Sequence, residues 1–447
     1  MANTDSPGDG GSAGEAAAGA GGAGAARGAD PVSRLPLEGI RVLDAGTRIS
    51  APFCAGLLGE LGADVIKVEL PGGGDFMRTI GPFVDSEESE AGYSLFWAVE
   101  GRGRRSVTCD LRKPEGQALF RRLAATADVV CENFRPGTME EWGLGPDSLD
   151  PRLVFVRISI FGQDGPYSRR PGLDRLGIAY GGLLHLTGER DRPPVRPGVT
   201  ISDYLTGVFA AMAAVAGLYQ RDIGRAATLD PTGTGATGGT GTGSVIDAPL
   251  YGAVLRVLEW TLAGYDQLGV VRSREGNRLP NSAPLDNYPT ADGAFVCIVA
   301  GSDANFRRLC QAMDRPDLIA DDRFSTLARR AARGDEINGI VEAWTSGLSA
   351  SEVEASCIAH DVPVGIAYTA ADIFTDPHMV AREDLVAVED PVIGTIRQQA
   401  PFPRFVGRPQ PTPTGAPRLG AHNDEVWTDL VGVTAEELTR LRDTGVI

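Results

Sequence analysis

Two aspartates lie where carboxylates could take part in catalysis. Asp203 falls between an extended segment and a helix predicted to begin near Tyr204. A carboxylate at a helix start can act as a nucleophile, because the helix dipole keeps it ionised and backbone N–H groups can hold an oxyanion. The same position is typical of an N-cap residue, and spacing alone favours that structural role. Asp174, in the segment 171–174 (PGLD), is either a turn residue or a second acid for proton transfer.

Three further segments carry residue types that suit a polyanionic ligand. Residues 46–52 form a loop of small side chains before a helix, where unpaired N–H groups attract anions. Residues 102–113 carry five basic side chains, and Arg guanidinium groups match phosphate oxygens. Residues 132–137 (ENFRPG) bring an amide, an aromatic ring and an Arg together, as a nucleotide site would require. Each segment also has a structural explanation: an ordinary turn for 46–52 and for 132–137, and a solvated cationic surface for 102–113.

Composition narrows the classes of partner. The 447 residues include 42 Lys and Arg against 59 Asp and Glu, for a net charge of −17. Such a field repels phosphate backbones and anionic lipid, so neither nucleic acid nor a membrane is expected as a partner. We also expect no apolar stretch near the roughly 20 residues of a membrane span. Six scattered cysteines and four histidines lack metal-ligand spacing, which predicts free thiols, no bound metal and a cytoplasmic protein.

Alternating strand and helix patterns predict an α/β fold. Apolar runs at 40–44, 64–69, 105–109, 128–132 and 153–159 are typical of buried parallel strands, and helices are predicted between them. Ligands of such sheets bind beyond the carboxyl ends of the strands. The predicted organisation is a disordered Gly/Ala-rich tail (1–35), a large domain (36–226), a flexible Gly/Thr-rich insertion (227–244), a linker helix (245–271), a small α+β domain (272–370) and a segment that returns to complete the large domain (371–447).

Several short motifs together indicate a family. They are 37–44 (LEGIRVLD), 61–69 (LGADVIKVE) with 74–75 (GD), 132–137 (ENFRPG), 162–166 (GQDGP), 276–277 (GN), 283–284 (AP), 290–293 (TADG) and 419–426 (LGAHNDEV). As an ensemble they resemble the class III CoA-transferases, which include formyl-CoA transferase, carnitine CoA-transferase and α-methylacyl-CoA racemase. The resemblance implies a large Rossmann-like domain that binds coenzyme A as a substrate, a smaller domain, an interlocked homodimer and no permanently bound cofactor.

The resemblance also assigns roles to particular residues. Asp203 matches the catalytic aspartate of the transferases, and Asp174 is a possible supporting acid. The positions that match coenzyme A contacts are Arg48, Ile49, Ser50, Arg104, Cys109, Leu111, Arg112, Asn133 and Phe134. Glu141 departs from the pattern, because relatives often carry a basic residue there. Leu173 replaces the proton-transferring His of the racemases, which favours the transferase branch.

These assignments predict transfer of coenzyme A between carboxylic acids through an aspartyl mixed anhydride and an aspartyl-CoA thioester. Two alternatives stay open: an isomerase that moves coenzyme A within one molecule, and a coenzyme A-binding protein without catalysis. Arg169 and Arg170 suggest a dicarboxylic substrate, and residues 276–284 are a candidate wall of the acyl site.

Overall fold

A parallel sheet organises the chain in the computed structural model, which describes residues 35–86, 92–229, 241–408 and 411–447. In chain order, the strands are β1 (Arg41–Asp44), β2 (Asp64–Glu69), β3 (Phe83–Val84), β4 (Tyr93–Ser94), β5 (Arg105–Thr108), β6 (Val129–Glu132), β7 (Val154–Ser159), β8 (Val245–Pro249), β9 (Leu285–Pro289), β10 (Phe295–Val299), β11 (Val364–Ile366), β12 (Leu385–Asp390) and β13 (Gly394–Gln399).

Helices cover the strands and connect them. In chain order, the α-helices are α1 (Ser50–Glu60), α2 (Leu95–Glu100), α3 (Pro114–Ala124), α4 (Thr138–Glu141), α5 (Asp174–Tyr180), α6 (Leu183–Leu186), α7 (Ile201–Leu229), α8 (Leu250–Arg256), α9 (Thr261–Leu268), α10 (Asp303–Ala312), α11 (Asp317–Ala320), α12 (Leu327–Ala331), α13 (Gly334–Thr345), α14 (Ala350–Ala359), α15 (Ala370–Thr375), α16 (Pro377–Arg382) and α17 (Ala435–Asp443). Short 3₁₀ turns occupy Phe76–Thr79 and Pro146–Ser148, and a π-helical turn occupies Glu425–Leu430.

The main sheet has six strands in the order β5-β2-β1-β6-β7-β8, and every neighbouring pair is parallel. This confirms the predicted α/β fold with a parallel sheet. Alternate side chains of a strand point to opposite faces, so Val42 packs with α1 and α7 while Leu43 packs with α3 and α17. Both faces are therefore buried, which explains the continuous apolar runs in the sequence.

The C-terminal segment returns to the main sheet. Trp427 is fully buried in the core that lies on the α3 face. The Asn423 side-chain oxygen accepts a hydrogen bond from the Thr108 amide at 2.8 Å, which ties the segment to the end of β5. Leu35–Ile447 forms one compact unit, and its division at residues 272 and 370 stays a prediction.

A three-stranded antiparallel sheet, ordered β11-β10-β9, forms the smaller structural element. Helices α10, α13 and α14 pack on it around a separate apolar core that contains Tyr288 and Phe324. Residues 290–294 connect β9 and β10 as a hairpin, since the two strands pair antiparallel on either side of them.

The linker helix predicted over 245–271 is wrong. Val245–Pro249 is strand β8, which pairs with β7 from Phe155 to Ser159 and forms the sixth strand of the sheet. The helices α8 and α9 follow it as two separate segments. The β-branched pair Val245-Ile246 favours a strand at the sheet edge, and this tertiary pairing overrides the helical spacing of the apolar residues beyond it. The predicted disordered tail and most of the predicted insertion (1–34 and 230–240) lie outside the described residues.

Helix α7 corrects the expectation that no apolar stretch approaches a membrane span. Its segment Ile201–Asp222 has a mean hydropathy of 1.5 and is long enough to cross a bilayer, and 44% of that window is buried inside the protein. Ala210, Ala214 and Leu218 lie in the core shared with α1 and the main sheet. This packing accounts for the apolar residues on the buried face of the helix.

Candidate active site

Helix α7 carries Asp203 in its first turn. The helix begins at Ile201, so Asp203 is its third residue. The predicted start near Tyr204 is therefore too late, and the N-cap role of Asp203 is wrong. Gly207, one turn further, allows close contact with α1: a Cβ atom there would lie 2.8 Å from Phe53 Cδ1 and 3.1 Å from the Ser50 carbonyl oxygen. This approach places Asp203 beside the loop that precedes α1.

The Asp203 carboxyl group has a raised pKa, so it changes its ionisation state near neutral pH. Burial raises its pKa to about 7, and the negative charge of Asp174 contributes in the same direction. A hydrogen bond with the Ser50 side chain and the positive charge of Arg48 oppose this rise. A carboxylate with a pKa near 7 is a stronger base, and a stronger nucleophile when ionised, than one near 4. The surroundings therefore favour a reactive carboxylate.

Asp174 supports the start of α7. It is the first residue of α5 and is buried. Its Oδ1 atom accepts hydrogen bonds from the Ser202 amide at 3.0 Å and from the Ser202 hydroxyl at 2.7 Å. Its Oδ2 atom is buried and has no hydrogen-bond partner among the described residues. The two acids predicted from the sequence thus share one site, and Asp174 acts on Asp203 through both charge and position.

Asn133 fixes the loop formed by residues 46–50. Its side-chain oxygen accepts a hydrogen bond from the Thr47 amide at 2.8 Å. Its Nδ2 group donates to the Thr47 carbonyl oxygen at 2.7 Å and to the Ser50 hydroxyl at 3.3 Å. The side chain predicted to contact coenzyme A therefore shapes the loop that faces Asp203.

A buried ionic network lies beneath this loop. Lys67, from the middle of β2, lies 3.3 Å from Asp44 and 2.8 Å from Asp75, and all three side chains are excluded from solvent. Lys67 also donates to the Gly46 carbonyl oxygen at 2.5 Å. Arg104 contacts the other Asp44 oxygen at 2.6 Å. Paired in this way, the buried charges hold the loop in one conformation.

A cavity of about 260 Å³ opens at the carboxyl ends of β1, β2 and β5. Four of the predicted coenzyme A contacts line it: Cys109, Leu111, Arg112 and Phe134. Trp142, which was not predicted, packs edge-on against Phe134 with ring centroids 5.1 Å apart. The location agrees with the general rule for ligands of open parallel sheets.

The three arginines predicted to contact coenzyme A differ in their ion-pair partners within the protein. The Arg112 guanidinium is exposed and forms two hydrogen bonds with Asp110, at 2.7 and 2.9 Å. Arg104 is buried against Asp44 and the Pro52 carbonyl oxygen, so its guanidinium supports the fold beneath the loop. Unlike Arg104 and Arg112, Arg48 forms no ion pair with a described residue. Ile49 is buried in the small apolar cluster that contains Trp97.

Other predicted positions lie apart from the loop or are engaged elsewhere. Arg170 stacks over Tyr167 at 3.6 Å and donates to the Tyr180 hydroxyl at 3.1 Å. Glu141 is exposed. Gly276 packs against Glu189, with its amide bonded to the Gly188 carbonyl oxygen at 2.9 Å. One signal that sequence analysis missed is Lys67, a charged residue in the middle of an apolar strand.

The chain is similar to known proteins over most of its length. The family model for CoA-transferase family III matches residues 37–423. A succinyl-CoA–D-citramalate CoA-transferase of Chloroflexus aurantiacus is 42% identical over 415 residues, covering 92% of this chain and 98% of the relative. A succinate–glutarate CoA-transferase of Agrobacterium fabrum is 34% identical over 410 residues, covering 90% of this chain and 97% of the relative.

A solved structure shows the same fold. The crystal structure of a CAIB/BAIF family protein from Brucella suis superposes with a TM-score of 0.77 at 33% identity. The match covers 89% of this chain and 99% of that chain.

Proposed function

The chain belongs to CoA-transferase family III, and from that premise we propose that it transfers coenzyme A from a dicarboxylic acyl-CoA, such as succinyl-CoA, to a second carboxylic acid, with Asp203 as the nucleophile. The observation that carries the proposal is the setting of Asp203: a half-buried carboxyl group of raised pKa in the first turn of α7, beside Ser50 and Arg48. The similar proteins from Chloroflexus and Agrobacterium are named as transferases for dicarboxylic acids, which supports the substrate class.

The first half of the reaction moves coenzyme A onto the protein. The Asp203 carboxylate attacks the thioester carbonyl of the donor, the C–S bond breaks, and coenzyme A leaves as a thiolate. The product is a mixed anhydride between Asp203 and the donor acid. The thiolate then attacks the Asp203 carbonyl carbon, which releases the donor acid and leaves an aspartyl-CoA thioester. The energy of the original thioester is conserved at each step.

The second half reverses these steps with the acceptor. The acceptor carboxylate attacks the aspartyl-CoA thioester, and the thiolate leaves a new mixed anhydride. Attack of the thiolate on the acyl carbon of the acceptor gives the new acyl-CoA and restores the Asp203 carboxylate. In each cycle Asp203 gives one oxygen atom to the departing donor acid and regains one from the acceptor, so the transfer consumes neither water nor a nucleotide.

The neighbouring residues have distinct roles in this scheme. The Ser50 hydroxyl, which contacts Asp203, orients the attacking oxygen. The oxyanions form at the N-terminal end of α7, where the helix dipole favours negative charge. The Ile201, Ser202 and Tyr204 amides of this turn already donate to acceptors within the protein. Burial limits the access of water to the anhydrides, which would otherwise hydrolyse.

We place the nucleotide part of coenzyme A in the cavity beside Phe134 and Arg112. The cavity and Asp203 lie on either side of the loop formed by residues 46–50, because Gly46 and Thr47 line the cavity while Ser50 contacts Asp203. The pantetheine arm would then follow this loop to bring its sulfur to the carboxylate.

We also propose that the chain acts as an interlocked homodimer, and the cytoplasmic location stays a prediction. An apolar groove of about 800 Å³ runs between α1, α7 and residues 399–403 and 411–414. Val208 and Met212 on its wall are exposed in one chain. In a dimer, a second copy would cover these side chains. Sedimentation equilibrium tests the proposal: we expect the wild-type protein to be a dimer and Met212→Glu to weaken the association.

An isotope experiment tests the proposed activity. The protein is incubated with succinyl-CoA and ¹³C-labelled glutarate or malate, and the acyl-CoA products are separated by mass spectrometry. A transferase forms labelled acyl-CoA and free succinate in equal amounts. An isomerase leaves the label in the free acid, and a binding protein without catalysis leaves succinyl-CoA unchanged, so either result rejects the proposal.

A further inference from the structure

Arg48 is held in an unusual backbone conformation beside the nucleophile. Its φ angle is +66°, in the left-handed region that residues other than Gly rarely occupy. Its guanidinium lies over the Phe76 ring, with 3.8 Å between the guanidinium carbon and the ring centroid. Such strain persists where the surroundings impose it, and it is concentrated at functional sites.

One buried carboxylate imposes this arrangement. The Oδ1 atom of Asp75 accepts hydrogen bonds from the Arg48 amide at 3.1 Å and from the Met77 amide at 2.9 Å. It thereby joins the loop that carries Arg48 to the 3₁₀ turn that carries Phe76. Lys67 in turn fixes Asp75. Buried side chains therefore hold the backbone segments that carry Arg48 and Phe76 next to each other.

The charge of Arg48 is available for a ligand. Among the residues that the structure describes, no Asp or Glu forms an ion pair with it, whereas Arg78 and Arg104 nearby are paired with Glu69 and Asp44. Arg48 is only partly exposed, and it lies close enough to Asp203 for its charge to favour the ionised form of that carboxyl group. A guanidinium beside the reacting carboxylate is thus poised for another anion.

We propose that Arg48 binds the distal carboxylate of the acyl group and so selects dicarboxylic over monocarboxylic substrates. This inference rests on the proposed function, because it assumes that an acyl-CoA places its carbonyl carbon at Asp203. The planar guanidinium forms two hydrogen bonds with a carboxylate, and stacking on Phe76 leaves its edge free to do so. The protein's net charge of −17 repels a dianion, so selection requires a local cation of this kind.

We assign the binding of the distal carboxylate to Arg48 and not to Arg170. The sequence suggests Arg169 and Arg170 as the residues that bind a second carboxylate, but the Arg170 guanidinium is engaged by Tyr167 and Tyr180. Neither Arg169 nor Arg170 contributes to the pKa of Asp203, whereas Arg48 does. An anion held at Arg48 would therefore be closer to the reacting group.

A comparison of two donors tests the inference. Succinyl-CoA and butyryl-CoA have acyl chains of four carbons and differ in the distal carboxylate. We expect the Arg48→Met variant to lose about 100-fold in kcat/KM for succinyl-CoA, because the distal carboxylate loses its charged partner, and at least about 30-fold more than it loses for butyryl-CoA. Arg48→Lys should recover part of the preference. Assays at pH 9 keep Asp203 ionised in every variant.

Three results would overturn the inference. Equal losses for the two donors, with weaker binding of free coenzyme A, would assign Arg48 to the coenzyme A moiety instead. A wild-type protein that turns over both donors equally well would show no selection. If Arg48→Met does not fold, Phe76→Leu removes the stacking surface, and an unchanged donor preference in that variant would also contradict the inference. By contrast, a wild-type protein that transfers coenzyme A from neither donor rejects the proposed function itself.

Discussion

Asp174 accepts two hydrogen bonds from Ser202, the residue immediately before Asp203. The 3.0 Å bond from the Ser202 amide and the 2.7 Å bond from its hydroxyl fix the first turn of α7 to the first turn of α5. Within α7, the hydroxyl of Thr206 donates to the Ser202 carbonyl oxygen at 2.7 Å. A supporting acid suggested by the resemblance thus has a structural explanation: it sets both the position and the charge environment of the nucleophile.

The first prediction concerns the pH dependence of the wild-type protein. Only the ionised form of Asp203 attacks the thioester, and burial raises its pKa to about 7. The value of kcat/KM should therefore fall about tenfold for each pH unit well below 7 and level off above it. A pH profile with succinyl-CoA measures this. A profile that stays flat down to pH 5 would contradict the raised pKa.

The second prediction concerns Asp174. Its negative charge raises the pKa of Asp203, so Asp174→Asn should move the acidic limb of the kcat/KM profile to lower pH. The Asn side-chain oxygen can still accept the Ser202 hydrogen bonds. Asp174→Ala removes both effects and should also lower kcat on the pH-independent plateau. An acidic limb in Asp174→Asn that coincides with the wild-type limb would show that Asp174 has only a structural role.

The third prediction tests the ionic network beneath the loop. Lys67→Met leaves Asp44 and Asp75 buried with less charge compensation, which should lower the free energy of unfolding by about 3–5 kcal/mol. Lys113→Met is the control, because the Lys113 side chain is partly exposed and donates to the carbonyl oxygens of Thr444 and Gly445. It should cost about 1 kcal/mol or less. Chemical denaturation measures both, and equal losses would argue against the network.

The fourth prediction tests the contact between α1 and α7. A methyl group at Gly207 would lie 2.8 Å from Phe53, so Gly207→Ala should cost about 1–3 kcal/mol and displace Asp203 from Ser50. Gly339→Ala, also inside a helix, meets no atom within 4 Å. It should stabilise the protein by up to about 1 kcal/mol. Thermal unfolding compares the two, and a Gly207→Ala variant as stable and active as wild type would contradict the close approach.

The sequence predicts the strands of the main sheet because each is apolar and bounded by turn residues. It misses β8, since Val245 and Ile246 are followed by a helix of similar composition, and only pairing with β7 identifies them as a strand. The site shows the same limit. Local spacing cannot place Asp174 against Ser202 or Arg48 over Phe76, because these contacts join segments brought together by the sheet.

Chemical trapping of Asp203 tests the central proposal most directly. The protein is mixed with succinyl-CoA, quenched with hydroxylamine during turnover, and digested for peptide mass spectrometry. Both the anhydride and the thioester of Asp203 react with hydroxylamine, so the predicted result is a hydroxamate at Asp203 that requires succinyl-CoA and is absent from Asp203→Asn. Active turnover with no modification of Asp203, or with the hydroxamate on another residue, would contradict the proposed nucleophile.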